Sequence, residues 1–306
     1  MENHRILSIM EGSALFDLSG SFGVVCHDAG GGNQVIAMLQ ACGLEPAYVC
    51  MEGPAKVLWQ RAFSDSIPLS SDFNWIDQVS VVLTGTGWVS DFEHEARRLS
   101  QKLGIRSIAV LDHWANYVER FSRKGTVVLP DELWVVDRYA ESLAHQVFPG
   151  IPVYLKPDYY AEREVSLIAP IDAQTPNVLL YLLEPVRSDW GLGVAGEFQA
   201  LRFFLQCIPF LGLPVKTVIN LRPHPSEIAD KYVEFLDEHN DFPIRMASGS
   251  LTDSISASRW VTGCQTYAMT LALRAGRKVF GSLPSWAPCC MLPHKGIVHL
   301  KDITVI

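Results

Sequence analysis

The stretch "VVCHDAGGGNQVIAML", residues 24–39, carries the fold in miniature. A short apolar run ends at His27 and Asp28, glycines occupy 30–32, and apolar residues then return at helical spacing. That succession is the grammar of a buried strand turning into a crossover helix. Glycines in such a turn have two uses. They can cradle a phosphate on free backbone N–H groups, or they can let another group come close to a reactive side chain. Here that side chain is Asp28.

The same grammar runs along the chain. In the first half, strands are expected at 23–27, 46–50, 80–84, 106–111, 132–136 and 152–155, with helices at 33–42, 91–103 and 138–147. Residues 156–177, rich in proline and polar residues, read as a linker. The alternation then restarts, with strands at 178–183, 216–220, 243–246, 259–262 and 278–280. The expected helices between them are 197–206, 226–238, 251–257 and 266–275. The fold class that follows is α/β, with two Rossmann-like domains in tandem, residues 1–160 and 161–306, facing a cleft. Ligands of such sheets bind beyond the carboxyl ends of the strands, so the residues just after each strand are the ones to examine.

Bulk properties narrow the classes. The chain of 306 residues has a net charge of −8, with 48% hydrophobic and 19% charged residues. That balance excludes a general nucleic-acid binder, which needs a basic footprint. Seven cysteines show no zinc spacing and read as buried reduced thiols. The start lacks a signal-peptide pattern and no apolar run is long enough to span a bilayer, so a cytoplasmic protein is expected. Peripheral contact with a membrane surface and the oligomeric state stay open.

Several strand ends carry candidate chemistry. In "INLRPHPSE", residues 219–227, prolines flank His224 and hold it still beside Arg222, a preorganised pair for an anion. In "VTGCQTYAMTLALRAG", residues 261–276, Gly263 turns the backbone and Gln265 and Thr266 open a helix whose free N–H groups suit a phosphate. The bland alternative is that Thr266 merely caps its own helix. Glu184 stands at another strand end, with Arg187 and Asp189 nearby, and reads equally well as part of a solvated loop. "GLGVAG", residues 191–196, matches a dinucleotide fingerprint but sits too far from its strand. It reads as a flexible loop, and Arg222 keeps an NADP alternative open. In the first half, Trp88, Asp112, His113 and Trp114 join His27, Asp28 and Gly30 as residues suited to a hydroxylated, sugar-like acceptor. Packing is the rival reading for both tryptophans, and an Asp112–His113 pair would only orient the loop. No DxD, HExxH, GxSxG or P-loop motif occurs, so no metal ligands are assigned and the cations must come from the protein.

"HDAGG", "RPHP" and "GCQTYA", set in tandem Rossmann-like domains, resemble the GT-B glycosyltransferases that use CMP-activated sugars: bacterial sialyltransferases and the transferases of Kdo and other nonulosonic acids. The resemblance implies that His224 and Thr266 with its neighbours contact the CMP phosphate, and that Asp28 is the general base. It departs in two places: two acids before the glycine in the family are His-Asp-Ala here, and Gln-Thr replaces Ser-Ser or Ser-Thr.

The expected activity is metal-independent transfer of an ulosonic acid from a CMP donor to a glycan or other hydroxyl acceptor, with no further cofactor. The residues assigned are Asp28 and His224 for catalysis, and Arg222, Gln265, Thr266, Gly263 and Glu184 for the donor. His27, Gly30, Trp88, Asp112 and His113 are assigned to the acceptor side. Two alternatives stand beside it: a UDP-sugar epimerase or hydrolase on the same scaffold, and a non-catalytic nucleotide-sugar-binding subunit.

Overall fold

The computed structural model describes residues 16–18, 20–64, 66–186, 188–224, 227–228 and 230–303. The chain divides into two compact units between Glu162 and Arg163. In the first, β1 (Phe22–Cys26) is buried along its whole length, as a parallel strand covered on both faces must be. Helix α1 (Ala29–Cys42) follows directly and stops at Gly43, whose φ of 61° gives the left-handed cap. Then come β2 (Tyr48–Met51), α2 (Gly53–Phe63), β3 (Val81–Thr84), α3 (Phe92–Leu103) and β4 (Arg106–Leu111). A short hairpin, β5 (Ser122–Arg123) and β6 (Thr126–Val127), precedes β7 (Glu132–Val135), α4 (Arg138–Val147), β8 (Val153–Leu155) and α5 (Tyr159–Ser166). The sheet is parallel, in the order β2-β1-β3-β4-β7-β8. Val24, Val35, Leu39, Trp59, Leu83, Ile108 and Trp134 share its main core.

The second unit repeats the plan. It runs β9 (Val178–Leu182), α6 (Gly196–Cys207), β10 (Val218–Arg222), α7 (Val233–Glu238), β11 (Ile244–Met246) and α8 (Leu251–Ser256). It ends with β12 (Trp260–Gly263), α9 (Tyr267–Arg274), β13 (Lys278–Gly281), β14 (Ile297–His299) and α10 (Leu300–Ile303). This parallel sheet has the order β11-β10-β9-β12-β13-β14. Ser250 and Asp253 form a reciprocal capping box at the start of α8. Leu179, Tyr181, Leu201, Phe204, Leu221 and Phe280 form the core.

In each unit the strand order reverses beside the first strand, between β1 and β3 and between β9 and β12. Beyond the carboxyl ends of those pairs lies the crevice in which doubly wound sheets take ligands.

Several boundaries differ from the sequence reading. Residues 30–32 are not a loop: all three glycines lie in the first turn of α1, which begins at Ala29. The expected linker 156–177 holds α5, started by Asp158, whose Oδ1 accepts the Ala161 N–H at 3.0 Å. Helix α2 went unread because Gly53-Pro54 resembles a turn, although proline in a first turn starts a helix. Strand β10 continues two residues past Asn220, to Arg222. Helix α7 begins only at Val233, and the expected helix start at Pro225 and Ser226 lies outside the described residues. Strand β14 and helix α10, both short, were not anticipated. Of the cysteines, Cys289 is exposed rather than buried, and all seven are free.

Candidate functional site

Two constellations stand at the two switch points. In the first unit, Asp28 sits at the N-cap position of α1 in extended backbone, yet its side chain makes no capping bond. Instead Oδ1 pairs with His27 Nδ1 at 2.7 Å, both side chains being half-buried. Beside them runs the Gly85-Thr86-Gly87 loop after β3. Three arginines hold its successive carbonyls: Arg97 Nη1 donates to Gly85 O at 3.1 Å, Arg120 Nη1 to Thr86 O at 3.0 Å and Arg123 Nη2 to Gly87 O at 2.6 Å. A loop fixed by charge-assisted bonds at every carbonyl is a rigid floor for whatever binds above it.

The glycines of α1 face protein. A Cβ on Gly30 would lie 1.7 Å from Asp112 Oδ2, one on Gly31 3.0 Å from the Gly85 Cα, and one on Gly32 3.0 Å from the Ala55 Cβ. So Gly30 is small to admit Asp112, and it offers no open approach for a ligand. Asp112 pairs with Arg120 at 2.6 Å. Burial would raise its carboxyl, but Arg120 and His113 prevail and hold it below the usual carboxylate range. Trp114 is buried and donates its indole N–H to Asp137, the cap of α4, so it is a packing residue. Trp88 is 47% exposed, and the His113 ring lies 5.3 Å from Trp114.

In the second unit the start of α9 already holds a carboxyl group. Glu184 Oε1 accepts the Gln265 N–H at 2.7 Å and the Thr266 N–H at 2.9 Å. Glu184 is therefore no loop residue in solvent; it occupies the amides that the sequence reading reserved for phosphate. Burial pushes its carboxyl up to about 7, against the pull of the Gln265, Thr266 and Cys264 amides. Thr266 is the N-cap of α9, but its hydroxyl makes no capping bond, so self-capping does not explain it. Gln265 Oε1 accepts from the Met291 N–H, and a Cβ on Gly263 would press on Leu182 O at 3.2 Å.

Arg222 has a structural duty. Its Nη1 donates to Gly249 O at 2.9 Å and Ser254 Oγ at 3.0 Å, tying β10 to the start of α8. His224 is exposed two residues beyond β10, and its carbonyl accepts from the Glu227 N–H. Arg187 lies outside the described residues. Nor are the "GLGVAG" glycines a loose loop. Asp189 accepts the N–H groups of Gly191, Leu192 and Gly193 at 2.8–2.9 Å, and Gln199 binds it as well.

The sequence reading missed Glu93. It is wholly buried in the first turn of α3, and its Oε1 accepts the His27 N–H at 3.0 Å. Burial pushes its carboxyl up to about 7, opposed by the His27 amide and Arg97 and assisted by Asp28 and Asp112. In sequence it reads as an ordinary acid favouring a helix N-terminus. Arg97, Arg120 and Arg123 gave no signal either, because they meet the loop only through tertiary structure.

No family model matches the chain, and no curated protein matches it. Solved structures do resemble it. UDP-GlcNAc 2-epimerase from Methanocaldococcus jannaschii aligns with a TM-score of 0.55 at 10% identity, over 85% of this chain and 83% of that one. The Neisseria meningitidis UDP-GlcNAc 2-epimerase bound to UDP-GlcNAc gives 0.54 at 10% identity, over 85% and 82%. Acinetobacter baumannii MurG gives 0.52 at 13% identity, over 93% and 87%. Sequence identity this low carries the fold and nothing finer: the chain has the GT-B fold, two Rossmann-like α/β domains each built on a parallel six-stranded sheet.

Proposed function

We propose that this chain is a nucleotide-sugar-dependent glycosyltransferase that moves an ulosonic acid from a CMP donor to a hydroxyl acceptor, with Asp28 as general base. One observation carries the reading. Asp28 stands half-exposed at the β1/β3 switch point with one carboxylate oxygen bonded to His27 and no capping duty for the other. An oriented carboxylate at a ligand-binding strand end, on a loop floor that cannot shift, is what proton abstraction from a hydroxyl requires. His27 orients the base, and Trp88 supplies an exposed aromatic face for a sugar ring.

In the second unit His224 and the Thr266 hydroxyl are the groups for the leaving phosphate, with Gln265, Gly263 and Glu184 shaping their surroundings. Transfer breaks the ketosidic C–O bond, whose electron pair goes to the phosphate oxygen. The acceptor oxygen bonds to the anomeric carbon and its proton goes to Asp28. Phosphate on the α9 amides would displace Glu184 or require it protonated, and a carboxyl near 7 makes protonation inexpensive at neutral pH.

That same carboxyl favours a second reading, a UDP-sugar epimerase or hydrolase. A group poised near 7 at the β9/β12 crevice suits acid–base work on the sugar itself. A thermal-shift screen with CMP, UDP, GDP and NADP separates the donors, since only a ligand of the folded state raises the melting temperature. Stabilisation by CMP, together with acceptor-dependent turnover that Asp28→Asn lowers by about 10²–10⁴-fold, is the expected result. Acceptor-independent conversion of UDP-GlcNAc would replace the transferase reading with the second. Nucleotide binding without turnover on any donor would leave a binding subunit.

A further inference from the structure

Glu93 is fully buried, yet its Oε2 meets no hydrogen-bond partner among the described residues. Its other oxygen is spent on the His27 N–H. Glu93 Oε2 and Asp28 Oδ2 each lie 2.6 Å from the point where a Cβ on Gly87 would stand. The two oxygens therefore lie within twice that distance, 5.2 Å, of one another, and Gly87, having no side chain, leaves the space beside both of them clear. An ionised oxygen buried without a donor is strongly disfavoured, whereas a carboxylic acid facing a second carboxylate is satisfied.

We propose that Asp28 and Glu93 form a carboxylate pair sharing one proton, in which Asp28 receives the proton of the acceptor hydroxyl and Glu93 holds it away from solvent. The inference rests on the base role proposed for Asp28 and adds the group behind it. The acceptor O–H bond breaks as its oxygen bonds to the anomeric carbon, and the proton joins Asp28 Oδ2. Where Glu93 is ionised, that O–H donates to its Oε2 and the proton crosses, leaving Asp28 ionised; once product has left, the proton returns through half-exposed Asp28 to solvent. Glu93 is faced by Cys26, His27 and Asp28 from the end of β1, by Asp112 from the end of β4 and by Arg97 from its own helix. Arg120 is engaged with Asp112, and Arg123 with the Gly87 carbonyl. Asp28 and Asp112 favour the protonated form of Glu93, and Arg97 the ionised one. The balance leaves its carboxyl at about 7, poised to take and release a proton at neutral pH.

Infrared titration of the full chain tests the pair without a substrate. In the Glu184→Gln background, which removes the other carboxyl near 7, the band of a buried carboxylic acid is expected to titrate with a midpoint near 7 and to be absent once Glu93→Gln is added. In Asp28→Asn, which leaves the core intact, removing the facing charge lowers the midpoint by about one pH unit. A midpoint that Asp28→Asn does not move, or a band that survives Glu93→Gln, overturns the proposal. With CMP-N-acetylneuraminate as donor, Glu93→Gln should lower kcat by about 10²-fold, keep the donor KM, and remove the limb near neutrality from the pH profile. Unchanged kcat and pH profile in that variant would also overturn it. Failure of the wild-type chain to turn over any CMP donor, with the infrared coupling intact, counts against the transferase reading and not against the pair.

Discussion

Replacing Gly30 by alanine separates packing from ligand access as the reason for the glycine run. The new Cβ would lie 1.7 Å from Asp112 Oδ2, where ordinary contact begins at 3.4 Å, so the carboxylate must retreat by half that contact distance. Its other oxygen is bonded to Arg120 at 2.6 Å and approaches Thr86 Oγ1 at 3.4 Å, and Arg120 is itself buried. The retreat therefore breaks or badly bends a buried ion pair, a loss of about 3–5 kcal/mol when one partner is stranded. Arg120 keeps the carbonyls of Ala115 and Thr86, which moderates the loss. Helix propensity favours alanine by about 1 kcal/mol, and Gly30 has no positive φ to add strain. The net expectation is a destabilisation of about 2–3 kcal/mol. In a unit of this size that lowers Tm by roughly 4–12 °C. Urea and thermal melts of wild type and Gly30→Ala measure it. A variant as stable as wild type, or more so, would show that helix propensity decides the position and would refute the packing argument.

Further outcomes are expected. Asp28→Asn should lower transfer by about 10²–10⁴-fold while calorimetric nucleotide affinity is unchanged; loss of both would make Asp28 structural. The folded-state Glu93 carboxyl is raised from 4.5 to about 7, so the folded protein holds a proton that the unfolded chain releases between those values. Its stabilisation is complete below the lower value and is lost as pH rises through the upper one. The loss is about 3 kcal/mol at most, and Glu93→Gln should remove that share of the slope in urea melts, the share of Glu184 remaining. Arg222→Ala should destabilise the chain, because Gly249 O and Ser254 Oγ lose their donor, whereas Thr266→Val should lower nucleotide affinity with little change in Tm. Equal stability of the two variants would contradict that division. Asp189→Ala frees the amides of Gly191, Leu192 and Gly193 and should speed proteolysis at those glycines.

Much of the fold is written locally. Wholly apolar strands such as "FGVVC" and "VLLYL", each followed by an amphipathic segment, state a parallel sheet with crossover helices because a strand covered on both faces has no polar side. Such patterns are short-range and survive reading one window at a time. Asp28, His224 and Thr266 were found because they follow strands, where doubly wound folds bind ligands. Partnership is a different matter. Arg222 was read as a phosphate ligand because its strand-end position is visible, while Gly249 and Ser254, which it binds, are distant in sequence. Glu184 was left undecided because no local pattern says that an acid beyond β9 will meet amides beyond β12.

The opening stretch shows where the division falls. By itself the sequence determined that "VVCHDAGGGNQVIAML" passes from strand to helix and brings an aspartate to the strand's end, since hydrophobic period and chain order suffice for both. Only the tertiary structure decided what the glycines are for. Asp112, Gly85 and Ala55 come from other strand ends and another helix, and each must fit against α1 where a side chain would stand. It likewise decided that a glutamate from α3 lies behind Asp28. Burial and facing charge, which set a carboxyl's affinity for a proton, belong to the assembled neighbourhood and to no single segment of the chain.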